Sequence, residues 1–180
     1  MKIIAIGGGE IRKDETLVLD RHIVELTGKR CPTVLFLPTA SGDSEDYVAA
    51  FADLYGRRLG CKVTVLRLIA GTPSQSEIRE KIHSASLIYA GGGNTLRMMK
   101  RWRSLGVDNE LSKAAVRGAV LAGLSAGAMC WFKYGHSDSR SFSGQKQWQY
   151  IRVRGLGLVL CCTARTTVRS VVRARWLRWF

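Results

Sequence analysis

The chain predicts a three-layer α/β sandwich built on a mainly parallel sheet. Three observations point there. Short runs such as Thr33-Val-Leu-Phe-Leu37 are apolar without alternation, as strands buried on both faces are. Segments with apolar residues at helical intervals lie between these runs. Turns rich in glycine or proline follow the carboxyl ends of the runs. Strand and helix alternating through short connections imply right-handed crossovers, with helices on both sheet faces. Ligands of such sheets collect beyond the carboxyl ends of the strands.

Taken in order, Lys2–Ile6 reads as a strand ending in Gly7-Gly8-Gly9. This turn is no dinucleotide fingerprint, because Arg12 stands where the third glycine of G-x-G-x-x-G belongs. Leu17, Val18, Ile23, Val24 and Leu26 predict a helix over 16–26. After the second strand comes Pro38-Thr-Ala-Ser-Gly42, and Asp43 or Ser44 is placed to cap a helix whose inward stripe is Val48, Phe51, Ala52, Tyr55 and Leu59. A third strand is expected over 62–68, a helix over 74–83 and a fourth strand over 85–90, which exits through Gly91-Gly-Gly-Asn-Thr95. Helices at about 95–102 and 109–116 precede the run Ala119-Val-Leu-Ala122.

At 180 residues the chain suits one domain with a proper core. Its apolar start is too short for a signal peptide, and no run approaches the roughly 18 apolar residues of a membrane span. A cytoplasmic protein without membrane partners is expected. Five cysteines without a C-x-x-C pair indicate neither a zinc ribbon nor a disulfide framework. The net charge of +14 belongs to the end of the chain: through Asp138 there are 19 Lys and Arg against 14 Asp and Glu, and afterwards 9 basic residues and no acidic one.

The stretch that organises the chain is Gly123-Leu-Ser-Ala-Gly127. A nucleophile at the tip of a strand-to-helix turn has a strained backbone, and side chains at its neighbours would collide, so glycines flank it. Ser125 is therefore the candidate nucleophile, and the Ala126 N–H at the helix start is placed to face a developing oxyanion. The alternative is a Gly- and Ala-rich junction with an idle serine.

Ile6-Gly-Gly-Gly-Glu10, Pro38–Ser41, Ala90–Thr95 and Gly123–Ala128 together resemble the S51 serine peptidases, the peptidase E and cyanophycinase group, over about residues 1 to 158. The resemblance implies the flavodoxin-like, class I glutamine amidotransferase-like sandwich and no cofactor or metal. It implies Ser125 as the acyl-forming nucleophile, with Gly92 and Gly93 donating to the oxyanion beside Ala126. Asn94 and Thr95 would support that turn, and Glu10 would face substrate. The same glycine turn also fits a simple helix cap. Relatives with the amidotransferase chemistry carry cysteine at the elbow, whereas Cys130 here reads as core.

A serine needs a base, and the base an orienting acid. The family supplies a histidine soon after a Gly-Leu-Gly-Leu strand, but Gly155-Leu-Gly-Leu158 is followed by no histidine. Those present are His22, His83 and His136; the first two read as surface or packing residues. His136 is placed in a loop leaving the nucleophile helix, as a makeshift base, and Asp138 in the same loop as the acidic member; solvated loop residues are the alternative. Residues 159–180 read as an atypical basic tail, with Arg165, Arg169, Arg173, Arg175 and Arg178 beside Trp176 and Trp179. A change of reading frame near Val159 or Leu160, or a truncation, accounts for the joint loss of acidity and resemblance; the encoding DNA tests it. Nucleic-acid binding and an amphipathic surface helix are the tail's other readings.

The function expected is hydrolysis of a small peptide or aspartyl-containing amide through an acyl-serine, impaired for want of the histidine. The alternatives are a non-catalytic small-ligand-binding domain of the same fold, and nucleic-acid binding through the tail. Oligomeric state is not legible.

Overall fold

A computed structural model describes residues 1–140, 150–163 and 169–170. Strands β1 (Lys2–Ile6), β2 (Thr33–Leu37), β3 (Lys62–Val65), β4 (Leu87–Ala90) and β5 (Val120–Leu124) are mutually parallel in the order β3-β2-β4-β5-β1. The helices between them are α1 (Leu17–Glu25), α2 (Glu45–Phe51), α3 (Gln75–Ser84), α4 (Thr95–Ser104) and α5 (Val107–Arg117). The one-turn α6 (Ala126–Met129) leads into β6 (Phe132–Ser137), which pairs with β7 (Ile151–Arg154) and β8 (Val159–Thr163) in a second, small sheet. β9 (Arg169–Ser170) adds an antiparallel edge beside β1.

Alternation along the strands divides the core into two layers. Ile3, Leu35, Ile88 and Leu121 pack with Ile78, Met98, Trp102 and Leu111 of α3 to α5. Ile4, Phe36, Tyr89 and Ala122 pack with Ile23, Phe51 and Tyr55 on the other face. The expected three-layer sandwich is what the chain adopts, and β4 and β5 are buried along their whole length.

Several local expectations are corrected. Asp43 and Ser44 do not cap α2 with their side chains; the Asp43 carboxylate instead accepts from the N–H groups of Ile69 and Ala70. Those amides lie in the stretch that leaves the sheet early, and β3 ends at Val65 rather than at residue 68. Helix α2 continues as a π-helical stretch over Ala52–Arg58. Val18 faces solvent, and α1 buries Asp20 with Ile23. The helix after Ser125 is a single turn with Cys130 as its C-cap, and His136 lies in a strand rather than in a loop. The cause is β7 and the turn after it, where Leu156 N–H donates to Cys130 O and Gly155 N–H to Lys133 O, drawing the chain into sheet pairing. Of the expected tail, 159–180, Val159–Thr163 and Arg169–Ser170 form strands β8 and β9, while 164–168 and 171–180 lie outside the described residues.

Candidate active site

Ser125 sits between β5 and α6 with φ 53° and ψ −109°. This is a conformation glycine prefers, and a non-glycine residue there stores about 1–3 kcal/mol of strain. The surroundings enforce it. Ser125 N–H donates to Ile6 O of the neighbouring β1 at 2.8 Å, tying the elbow to the sheet edge. A Cβ on Gly123 would overlap the Gly127 carbonyl oxygen, and one on Gly127 would overlap the Ala90 carbonyl oxygen at the end of β4. Both flanking glycines are thus required by backbone contact.

The glycine turn after β4 lies directly opposite. An ideal Cβ on Gly92 would be 3.5 Å from Ser125 Cβ and 3.4 Å from Leu124 O. Gly93, with φ +133°, is pressed against the Ala40 carbonyl of the loop after β2. That carbonyl accepts from Asn94 N–H at 2.8 Å and from Arg97 Nη2 at 2.7 Å. The exits of β1, β2, β4 and β5 therefore meet around one serine.

Asn94 caps α4, its Oδ1 accepting from Arg97 N–H at 2.9 Å, while Nδ2 donates to Ser139 O at 3.0 Å. Thr95 is buried and its Oγ1 accepts from Ser137 Oγ at 3.2 Å; Ser139 Oγ accepts from Leu96 N–H at 3.0 Å. The end of β6 thus clamps the start of α4. The Asn94 side chain is thus a helix cap, and neither it nor Thr95 Oγ1 bonds to Gly91–Gly93.

Glu10 is exposed just past β1, where its Oε1 accepts from Arg12 N–H at 3.3 Å. Asp138 is half-buried between Ser137 and Ser139. His136 is exposed on β6 opposite Arg152, between the buried Gly135 and Ser137. Among the described residues no hydrogen bond joins Ser125 Oγ to an imidazole. Cys130 is fully buried, its thiol pushed well up by burial and donating to Gly127 O at 3.0 Å.

Three contributors were not foreseen from the sequence. Tyr47 of α2 brings its hydroxyl to 3.4 Å from Gly92 N. Burial is the main cause that pushes this phenol up to about 12, so it keeps its proton. Ser137 and Ser139 had no motif to mark them, and Tyr47 lies outside the apolar stripe of its helix. Beside Asn94 an open groove of about 570 Å³ runs along α4, lined by Arg97, Lys100, Arg101 and Arg140 with Asn94 and Ser139, and, among the described residues, by no acidic one.

A strained serine at a strand–helix turn, facing a glycine turn at the carboxyl edge of a parallel sheet, is a nucleophile-elbow architecture. The chain belongs to peptidase family S51, whose sequence profile matches residues 3–163. It is 39% identical over 139 residues to an uncharacterized peptidase of Bacillus subtilis (strain 168), covering 77% of this chain and 59% of that protein. It is 32% identical over 106 residues to peptidase E of Escherichia coli O6:K15:H31, covering 58% of this chain and 42% of that protein. The chain therefore spans about half the length of the relatives it matches. A crystal structure from Listeria monocytogenes EGD-e, provisionally described as a peptidase E protein, superposes with a TM-score of 0.64 at 23% identity, covering 88% of this chain and 75% of that one. A peptidase from an acI-B1 Actinobacterium superposes with a TM-score of 0.63 at 21% identity, covering 87% and 64%. These two likenesses bear on the fold. Among the described residues no helix is long and apolar enough to cross a membrane.

Proposed function

We propose that the site is that of a serine-type peptidase, in which Ser125 attacks the carbonyl of a small peptide or related amide, the C–N bond breaks as the amine leaves with the proton given up by the hydroxyl, and water then hydrolyses the acyl-serine. The observation that carries this is the left-handed Ser125 held within 3.5 Å of the position a Gly92 side chain would occupy. In this reading the strained turn presents the hydroxyl, and preorganised amides from the two turns would stabilise the oxyanion with little reorganisation. Of the turn's amides, Gly91 N–H is held by Leu37 O at 3.0 Å, Gly92 N–H by Tyr47 and Asn94 N–H by Ala40 O. Gly93 N–H has no acceptor among the described residues. It is the donor we assign opposite Ala126, whose N–H at the first position of α6 has no intrahelical partner.

Arg97, Lys100 and Arg101, lining the groove along α4, favour an acidic substrate, an Asp-containing peptide or aspartyl amide. Asp138 remains the proposed acidic member and His136 the residual base, with Glu10 a substrate contact at the rim. We place the catalytic domain at 1–158 and treat 159–180 as a segment outside its chemistry. No histidine follows His136 in the sequence.

The test is hydrolysis of an aspartyl p-nitroanilide with and without added imidazole. A rate that disappears in Ser125→Ala and rises with imidazole in His136→Ala supports the reading, because the added base then stands in for the proposed one. A second reading, a small-ligand-binding domain without catalysis, is favoured by the absence of an imidazole bonded to Ser125 Oγ. It predicts binding of acetylaspartate with no imidazole-dependent rate.

A further inference from the structure

We propose that Tyr47 is a positioning residue for the oxyanion turn, its hydroxyl holding Gly92 N–H so that Gly93 N–H is the amide presented to the ligand. The inference rests on the acyl-transfer reading of the site and adds to it a group outside the glycine turn and the elbow.

Tyr47 meets the turn in two ways. Its hydroxyl lies 3.4 Å from Gly92 N, a long hydrogen bond of the kind that tightens when a site is filled. Its ring covers Gly91 so closely that a Cβ there would lie 3.0 Å from Tyr47 Cε1 and 3.3 Å from Phe36. Phe36 in turn fixes the ring edge-on, with centroids 5.0 Å apart at 71°. The stack continues through Phe51, 4.1 Å from Phe36, to Tyr55, whose hydroxyl donates to the buried Asp20 at 2.7 Å. The phenol is therefore seated from behind by packed rings and cannot swing away without disturbing the core. A flexible Gly-Gly-Gly turn has many ways to aim its amides; Tyr47 removes one of them from the choice.

The probe is acetylaspartate, whose carboxylate imitates the cleaved acyl group, titrated into the 15N-labelled intact chain. Binding needs no general base, so the readout does not depend on turnover. In the wild type the Gly93 and Ala126 amide resonances should shift and Gly92 should not. Tyr47→Phe keeps the ring and should keep the melting temperature, but should weaken binding about fivefold, the size of one neutral hydrogen bond. It should also bring Gly92 into the set of amides that shift. Gly91→Ala, which pushes the ring aside, should weaken binding similarly, and combining it with Tyr47→Phe should add little.

Equal affinity and the same shifting amides in Tyr47→Phe overturn the role of Tyr47 and leave the site reading intact. Weaker binding with Gly92 still unmoved also overturns it, since the ring would then act only as packing. If neither Gly93 nor Ala126 moves in the wild type, the oxyanion site fails, and the positioning role falls with it.

Discussion

Gly127 at the start of α6 packs so tightly on Ala90 at the end of β4 that a single added carbon would overlap the Ala90 carbonyl oxygen. The elbow is thereby locked to the strand whose exit turn carries Gly92 and Gly93. Gly127→Ala should cost about 3 kcal/mol of stability or more, because overpacking against backbone cannot be relieved by a rotamer change. Urea denaturation checks it; a loss below about 1 kcal/mol would mean that β4 and the elbow can separate without penalty.

The strain at Ser125 makes a second prediction. Glycine adopts φ 53° without a Cβ clash, whereas alanine keeps the clash and loses the hydroxyl. Ser125→Gly should therefore be more stable than Ser125→Ala by about 1 kcal/mol, despite the extra freedom glycine brings to the unfolded chain. Equal stabilities measured by denaturant would show that the turn stores no strain.

Much of this site was legible in the sequence because its parts are made of backbone. Glycines at 93, 123 and 127 are needed where main chain touches main chain, and such needs leave residue types behind. Apolar runs without alternation likewise announced strands covered on both faces, and β2, β4 and β5 are so covered. What stayed hidden depends on contacts between distant segments. Tyr47 lies one residue before the buried Val48, and nothing in the helical period says that its hydroxyl reaches residue 92. The segment 134–137 looked like a loop because its polar and glycine residues disguise a strand that only its partners Ile151–Arg154 reveal. Asp20 was concealed in the same way: its carboxylate is buried by a tyrosine 35 residues further on.

That aspartate and Glu110 should respond oppositely to pH. Burial raises the Asp20 carboxyl above its ordinary 3.8, with the Tyr55 hydrogen bond opposing. The folded state then holds the proton more tightly than the unfolded chain, so this contribution is complete below about pH 4 and is lost as pH rises through the raised value. Asp20→Asn, which can still accept from Tyr55, should gain stability relative to the wild type on going from pH 4 to pH 8. Glu110 is held below its ordinary 4.5, chiefly by the hydrogen bond from Lys113 at 2.8 Å, with His83 at 2.9 Å helping. Its contribution is present above that ordinary value and is lost as pH falls through the lowered one. Glu110→Gln should therefore differ from the wild type about equally from pH 6 to pH 8 and least at pH 3. Melting temperatures across pH 3–8 check both; parallel curves for either variant would contradict its assignment.

The basic groove yields the last prediction. Lys100 is exposed on α4 between two arginines already engaged, Arg97 with Ala40 O at 2.7 Å and Arg101 with Leu68 O at 2.6 Å. Removing either arginine would disturb the loops after β2 and β3 as well as the field in the groove. Lys100 has no such structural bond among the described residues, so Lys100→Glu changes the field and little else. An exposed pair contributes about 0.2–1 kcal/mol, and reversal of the charge adds repulsion, so binding of an Asp-containing peptide should weaken about five- to tenfold at low salt. The difference should shrink toward 0.5 M NaCl, where screening acts within about 4–5 Å. Titration calorimetry at two salt concentrations checks it, with the melting temperature as the control for folding. Undiminished affinity in Lys100→Glu would place the acidic ligand elsewhere on the molecule and remove the groove from the substrate path.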